Sequence, residues 1–160
     1  MKALFPGTFA PLTLGHLEII ERGSKLFEVL YIAVAEEHGR PNSPFTLEER
    51  IDFIIKSTVS CKNIEIISFS GLAVDCAKKL NADVIIRGLR NSSDFDYEYQ
   101  MAASNHQMTG IETLFLTASP KYIHISGTLI REIANNGRRL HDFVPKEIEK
   151  AVFDRLYNQK

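Results

Sequence analysis

Cysteine occurs only twice in this 160-residue sequence, at Cys61 and Cys76. The pair matches no metal-ligand spacing and cannot make the disulfide framework of a small secreted domain. Both read as reduced thiols, at least one of them buried. An excess of one charge is also missing: 19 Lys and Arg face 20 Asp and Glu, for a net charge of −1 with no basic tail or block. This balance excludes a dedicated binder of nucleic acid or of a membrane surface, while leaving room for local basic pockets. No apolar run approaches the ~18 residues of a membrane-spanning helix. The start carries one lysine and a short apolar patch broken by Pro6-Gly7, so no signal peptide is expected and the expected setting is a reducing cytoplasm. Internal repeats, low-complexity tracts and composition breaks are absent. So are the P-loop pattern G-x-x-x-x-G-K-[ST] and, after the first strand, the dinucleotide pattern G-x-G-x-x-G.

What is present is an ordinary globular balance, 44% hydrophobic and 24% charged, expected to form one domain over residues 1–160. Strands are predicted at Lys2–Phe5, Val29–Ala35, Ile64–Phe69, Asp83–Ile86 and Glu112–Leu116. Helices are predicted at Leu17–Phe27 (with Thr13 as a candidate cap), after the capping box Thr46-Leu47-Glu48-Glu49, and at Leu72–Leu80 and Asp94–Met108. Further helices follow Ser126 to about Asn136-Gly137 and run from Lys146 to Tyr157, with Pro145 in the first turn. In the first helix Leu17, Ile20, Gly23 and Phe27 form the expected apolar stripe; after Thr46 it is Ile51, Ile54 and Ile55. Alternating strands and helices call for an α/β fold: a doubly wound, Rossmann-like, five-stranded parallel sheet with helices on both faces. Such a sheet binds ligands at the carboxyl ends of its strands, beside the topological switch point.

The loop after the first strand, FPGTFAPLTLGH from Phe5 to His16, is overbuilt for a connector. Gly7 and Gly15 permit close approach of backbone or ligand. The loop feeds a helix start, where free N–H groups and the positive dipole end favour phosphate. Thr8 adds a hydroxyl, and His16 lies in the first helical turn facing the same anion. Taken singly, a glycine-rich turn, a capping threonine or a histidine can each be structural. Arg87 and Arg90, in IRGLR after the fourth strand, carry planar forks suited to phosphate oxygens, or else are solvated. Ser126-Gly127-Thr128 repeats the logic of small residues and hydroxyls at a helix start.

The stretch PGTFAPLTLGH resembles the T/H-x-G-H signature of the nucleotidyltransferase superfamily. Together with PFTLEER (Pro44 to Arg50), IRGLRNSSDFDYEYQMA (Ile86 to Ala102), ISGTLIREIA (Ile125 to Ala134), the DFVP turn and the length, it resembles the bacterial phosphopantetheine adenylyltransferases. The resemblance implies transfer of the adenylyl group of ATP to 4′-phosphopantetheine, with Mg2+ arriving on the ATP and no protein metal site. It implies His16, Thr8 and Arg87 as catalytic residues, with Thr8, Arg40, Ala73 and Arg87 on the acceptor. ATP would meet Thr8, Phe9, His16, Gly88, Leu89, Arg90 and Glu98. It would also meet the segment Tyr122, Ile123, His124, Ile125, Ser126, Gly127 and Thr128. A homohexamer and feedback by coenzyme A are further implications.

Three positions depart from the family pattern. Ala10 stands where aspartate is usual, and Gly127 replaces a serine. The second loop, EEHGRPNSP, has Pro41 at the usual lysine position, with Arg40 the nearest cation. The sequence leaves nicotinate mononucleotide adenylyltransferase, a cytidylyltransferase for a phosphorylated alcohol and a non-catalytic nucleotide-binding regulator as alternatives. Thr13 at the first signature position and the IRGLR-to-DFDYEYQMA block favour phosphopantetheine.

Overall fold

The structure, a computed structural model, describes residues 1–36 and 43–158, with backbone only at Ser93. Five strands alternate with helices in chain order: β1 (Lys2–Gly7), α1 (Leu14–Leu26), β2 (Val29–Ala35), α2 (Leu47–Ser57), β3 (Ile64–Phe69), α3 (Ala73–Lys79), β4 (Val84–Leu89), α4 (Ser92–Thr109), β5 (Glu112–Thr117), α5 (Gly127–Asn135) and α6 (Glu149–Tyr157). All pairings are parallel, in the order β3-β2-β1-β4-β5. The expected sheet is the one observed. Its central strands are nearly continuous apolar runs because both faces are covered.

Alternating strand residues feed two cores. Ala3, Phe5, Leu30, Ile32, Val34 and Ile86 pack with Ile19 and Ile20 of α1, Phe53 and Ile54 of α2, Ile130 of α5 and Val152 of α6. Leu4, Tyr31, Ala33 and Ile85 pack on the other face with Val74 and Ala77 of α3. Gly23 brings α1 onto the sheet: a Cβ there would lie 3.0 Å from Leu30 Cδ2 and 3.1 Å from Ile86 Cδ1.

Several boundaries differ from the sequence expectation. In α1 the buried positions are Ile19, Ile20 and Gly23, so the stripe includes Ile19 rather than Leu17. In α2 Ile55 is exposed while Arg50 is buried. The last helix begins at Glu149, since Pro145 belongs to a separate turn whose carbonyl accepts from Ile148 N–H. β1 continues through Pro6 and Gly7, opposite Ala33 and Val34 of β2. Proline is tolerated there because β1 pairs with β4 only at Ala3 and Leu4. Beyond that point the strands part, and the Pro6 carbonyl, on the β4 side, accepts from Arg87 Nη1 at 2.8 Å. The missing proline N–H therefore faces an opening rather than a strand.

Candidate active site

The parting of β1 and β4 is the topological switch point of the sheet, where open α/β sheets receive ligands. A cleft of about 620 Å³ fills it. Its wall brings together Thr8, Phe9, His16, Ala73, Arg87, Gly88 and Arg90 with Glu98, Tyr122, Ile125, Ser126, Gly127 and Thr128. Leu89, Ile123 and His124 are not among its lining residues, and Ile123 is 45% exposed. Arg40 lies outside the described residues.

Thr13 caps α1 as expected, but its partner is unusual. The Thr13 hydroxyl accepts from His16 N–H at 3.1 Å, and the Thr13 N–H donates to His16 Nδ1 at 3.2 Å. His16 thus occupies the place that Glu or Gln takes in an ordinary capping box. An amide can only donate, so Nδ1 is the acceptor and the neutral ring carries its proton on Nε2. Loss of water around the ring, then the charges of Arg90 and Arg87, lower the His16 pKa from 6.5 to about 4. The imidazole is therefore neutral near pH 7 and offers one Nε2–H donor.

Phe9 holds that ring from behind. It is 1% exposed, with its centroid 5.2 Å from that of His16 in edge-to-face contact. To place it, the backbone adopts φ 47° at Phe9, a left-handed conformation unusual for a bulky residue. Gly7 makes the room, because a Cβ there would meet the Phe9 ring at 2.9 Å. The start of α1 is less open than the sequence suggested. Its Leu14 amide donates to Phe143 O at 2.9 Å and its His16 amide to Thr13. Two of its first-turn amides are therefore already bonded within the protein.

Arg87 is a strand residue, since β4 runs to Leu89 rather than ending at Ile86. Glu98 of α4 grips it through two bonds, Nη2 to Oε1 at 2.5 Å and Nε to Oε2 at 2.7 Å. Arg90 pairs with Asp94 and donates from Nη1 to Ile125 O at 3.1 Å. Both carboxylates of this wall are thus committed to arginines. Among the described residues no cluster of His, Cys, Asp or Glu could hold a metal ion. At α5, Ser126 accepts from Leu129 N–H at 3.2 Å, the expected cap.

Two arginines escaped the sequence reading. Arg131 lines the cleft, with Nη1 at 3.5 Å from where a Gly127 Cβ would stand; Ala10 O is 3.6 Å from the same point. The two departures, Ala10 and Gly127, therefore border one cation. Its signal was the helical spacing from Gly127 to Arg131, which sets the two residues on one side of α5. Arg50, hidden in the α2 stripe, is the other.

Residues 4–133 match the cytidylyltransferase-like family. The phosphopantetheine adenylyltransferase of Prochlorococcus marinus strain MIT 9301 is 46% identical over 155 residues, 96% of this chain and 98% of the relative. That of strain MIT 9312 is 48% identical over 153 residues, 95% of this chain and 97% of the relative. A crystal structure titled as a putative nicotinate-nucleotide adenylyltransferase from Vibrio parahaemolyticus shares the fold, with a TM-score of 0.73 at 16% identity over 99% of this chain and 96% of that one. With a wall of arginines and a neutral histidine at the switch point, and with these relatives matching nearly end to end, the chain belongs to the cytidylyltransferase-like family and, within it, to the phosphopantetheine adenylyltransferases.

Proposed function

We propose that this protein transfers the adenylyl group of Mg·ATP to 4′-phosphopantetheine, giving dephospho-coenzyme A and pyrophosphate, the penultimate step of coenzyme A synthesis. The observation that carries the reading is the neutral His16, its Nε2–H directed by the Thr13 bond to Nδ1, in a cleft shared with Arg87 and Arg90. The acceptor phosphate is already ionised near neutrality, so it needs no general base. One of its oxygens attacks the α-phosphorus in line; the bond to the bridging oxygen breaks, and pyrophosphate leaves with the electron pair. His16 stabilises charge on the α-phosphate oxygens, Thr8 orients both phosphates and Arg87 holds the nucleophile. Arg90, Gly88 and Ser126 to Thr128 lie on the triphosphate side. The apolar end of the cleft, with Phe69, Leu72, Ala73 and Met101, suits the pantetheine arm.

The chain works as one cytoplasmic nucleotidyltransferase domain and assembles as a homohexamer. Exposed Phe95, Tyr99 and Leu114 on α4 and β5 support self-association. Coenzyme A shares the adenylate and the arm, so it competes for the same cleft. Pyrophosphate release from Mg·ATP tests the activity, with phosphopantetheine, nicotinate mononucleotide and glycerol phosphate as acceptors. Release with phosphopantetheine alone is expected; release only with another acceptor, or ATP binding without release, overturns the reading.

A further inference from the structure

Arg50 is 5% exposed, yet among the described residues it forms no ion pair. Its guanidinium is spent on four backbone carbonyls. Nη1 donates to Thr8 O and to Ala35 O, both at 2.8 Å. Nη2 donates to Glu36 O at 3.3 Å, and Nε to Thr46 O at 3.3 Å. These acceptors come from three separate segments: the loop after β1, the end of β2 and the cap of α2. A buried cation is a poor choice for stability alone, because apolar residues of similar volume generally serve as well. What a guanidinium supplies, and an apolar residue cannot, is a rigid fork that fixes the distances between its acceptors.

Two of the acceptor residues, Thr8 and Ala35, line the cleft. Nη1 joins Thr8 to Ala35, so the loop after β1 is held to the end of β2 where that strand meets the site. The next residue, Phe9, takes its left-handed turn and sets its ring against His16. The path runs from Arg50 to the Thr8 carbonyl, through the peptide bond to Phe9, and from the Phe9 ring to the His16 imidazole. We propose that Arg50 is a positioning residue for adenylyl transfer, setting the Thr8 hydroxyl and, through Phe9, the His16 ring. The proposal rests on the adenylyl-transfer reading of this cleft.

The test uses Arg50→Lys and Arg50→Met in the full chain. Lysine keeps the charge but has a single nitrogen and cannot span the same carbonyls. Turnover is measured per folded molecule, with folded fraction from circular dichroism, and the His16 imidazole is followed by 15N NMR without substrate. Both variants are expected to lose kcat about ten- to hundredfold, the scale set by a misplacement near 1 Å. The KM for Mg·ATP is expected to stay within threefold and the His16 resonances to move. Wild-type kcat in folded Arg50→Lys, or unmoved His16 resonances, overturns the proposal. So does an Arg50→Lys chain that fails to fold, because a positioning role leaves the fold standing. If the wild-type enzyme itself does not turn over with phosphopantetheine, the adenylyl-transfer reading fails. The His16 resonances still report whether the path from Arg50 exists.

Discussion

At the scale of single residues, the proposed chemistry turns on which nitrogen of His16 bears the proton and whether the ring is charged. The backbone of Thr13 decides the first, and lost water with two nearby arginines decides the second. His16→Ala is expected to fold and to lose roughly 10²–10³ of kcat, the usual effect of removing one transition-state donor; pyrophosphate release measures it. In substrate-free enzyme the His16 resonances should titrate with a midpoint near 4 rather than 6.5. No limb near pH 6.5 in kcat/KM should then belong to His16. A midpoint near 6.5 by NMR would contradict the burial and the arginine field together.

At the scale of elements, α1 and α4 reach the sheet by different means. α1 lies close because Gly23 leaves its Leu30 and Ile86 contacts free. Gly23→Ala would gain about 1 kcal/mol of helix propensity. Forcing a methyl against two well-packed side chains costs about 1–3 kcal/mol, so net destabilisation of about 1 kcal/mol is expected in urea titration. Among its described residues α4 buries none completely; Arg87–Glu98 joins it to β4 and Arg90–Asp94 to the residue just after that strand. Arg87 bonds Glu98 and the Pro6 carbonyl, and in the proposed reaction it also holds the acceptor phosphate. Lysine cannot keep both protein partners and also grip a phosphate. Arg87→Lys should therefore raise the KM for phosphopantetheine about ten- to hundredfold, the range of a charge-assisted hydrogen bond, with a smaller effect on KM for ATP.

At the scale of the whole molecule, acid weakens the fold in two stages. His16 has a folded pKa of about 4 against 6.5 ordinarily. Between those values the unfolded chain binds the extra proton, so stability falls as pH drops through that window. Lower still come two carboxylates. The Arg139 bond holds Glu149 below its ordinary value against opposing burial, helped by the Leu140 amide. Burial raises Glu18, but bonds from the Ser119 hydroxyl and amide outweigh it. Stability from these acids is present above about 4.5 and is lost as pH falls through their lower folded values. Glu149→Gln should accordingly lower the urea midpoint at pH 7, and its gap to wild type should narrow as pH falls below the ordinary glutamate range and through the lower folded value. Sedimentation should give six times the 18.1 kDa chain mass; a monomer at working concentration would contradict the proposed assembly.

How far each of these scales was legible beforehand follows from the range of the interaction. The strand and helix order, the Thr13 and Thr46 caps and the cleft-forming loops could be read from the chain, because propensity, periodicity and capping act over a few residues. The alternation of elements was enough to imply the sheet, and the motifs in order were enough to imply the family. Other features depend on neighbours distant in sequence. Pro6 could extend β1 only because β4 turns away there, and Arg50 could replace an apolar residue in a buried stripe only because Thr8, Ala35 and Glu36 bring carbonyls to it. The direction of the His16 proton was implicit in the four letters from Thr13 to His16, yet its neutrality was not. That comes from lost water and from Arg87 and Arg90, more than seventy residues away in the chain. Local sequence thus determined which elements form and which loops line the cleft. Tertiary structure decided how the arginines are paired and how the histidine is charged, because burial and electrostatic fields exist only once distant segments meet.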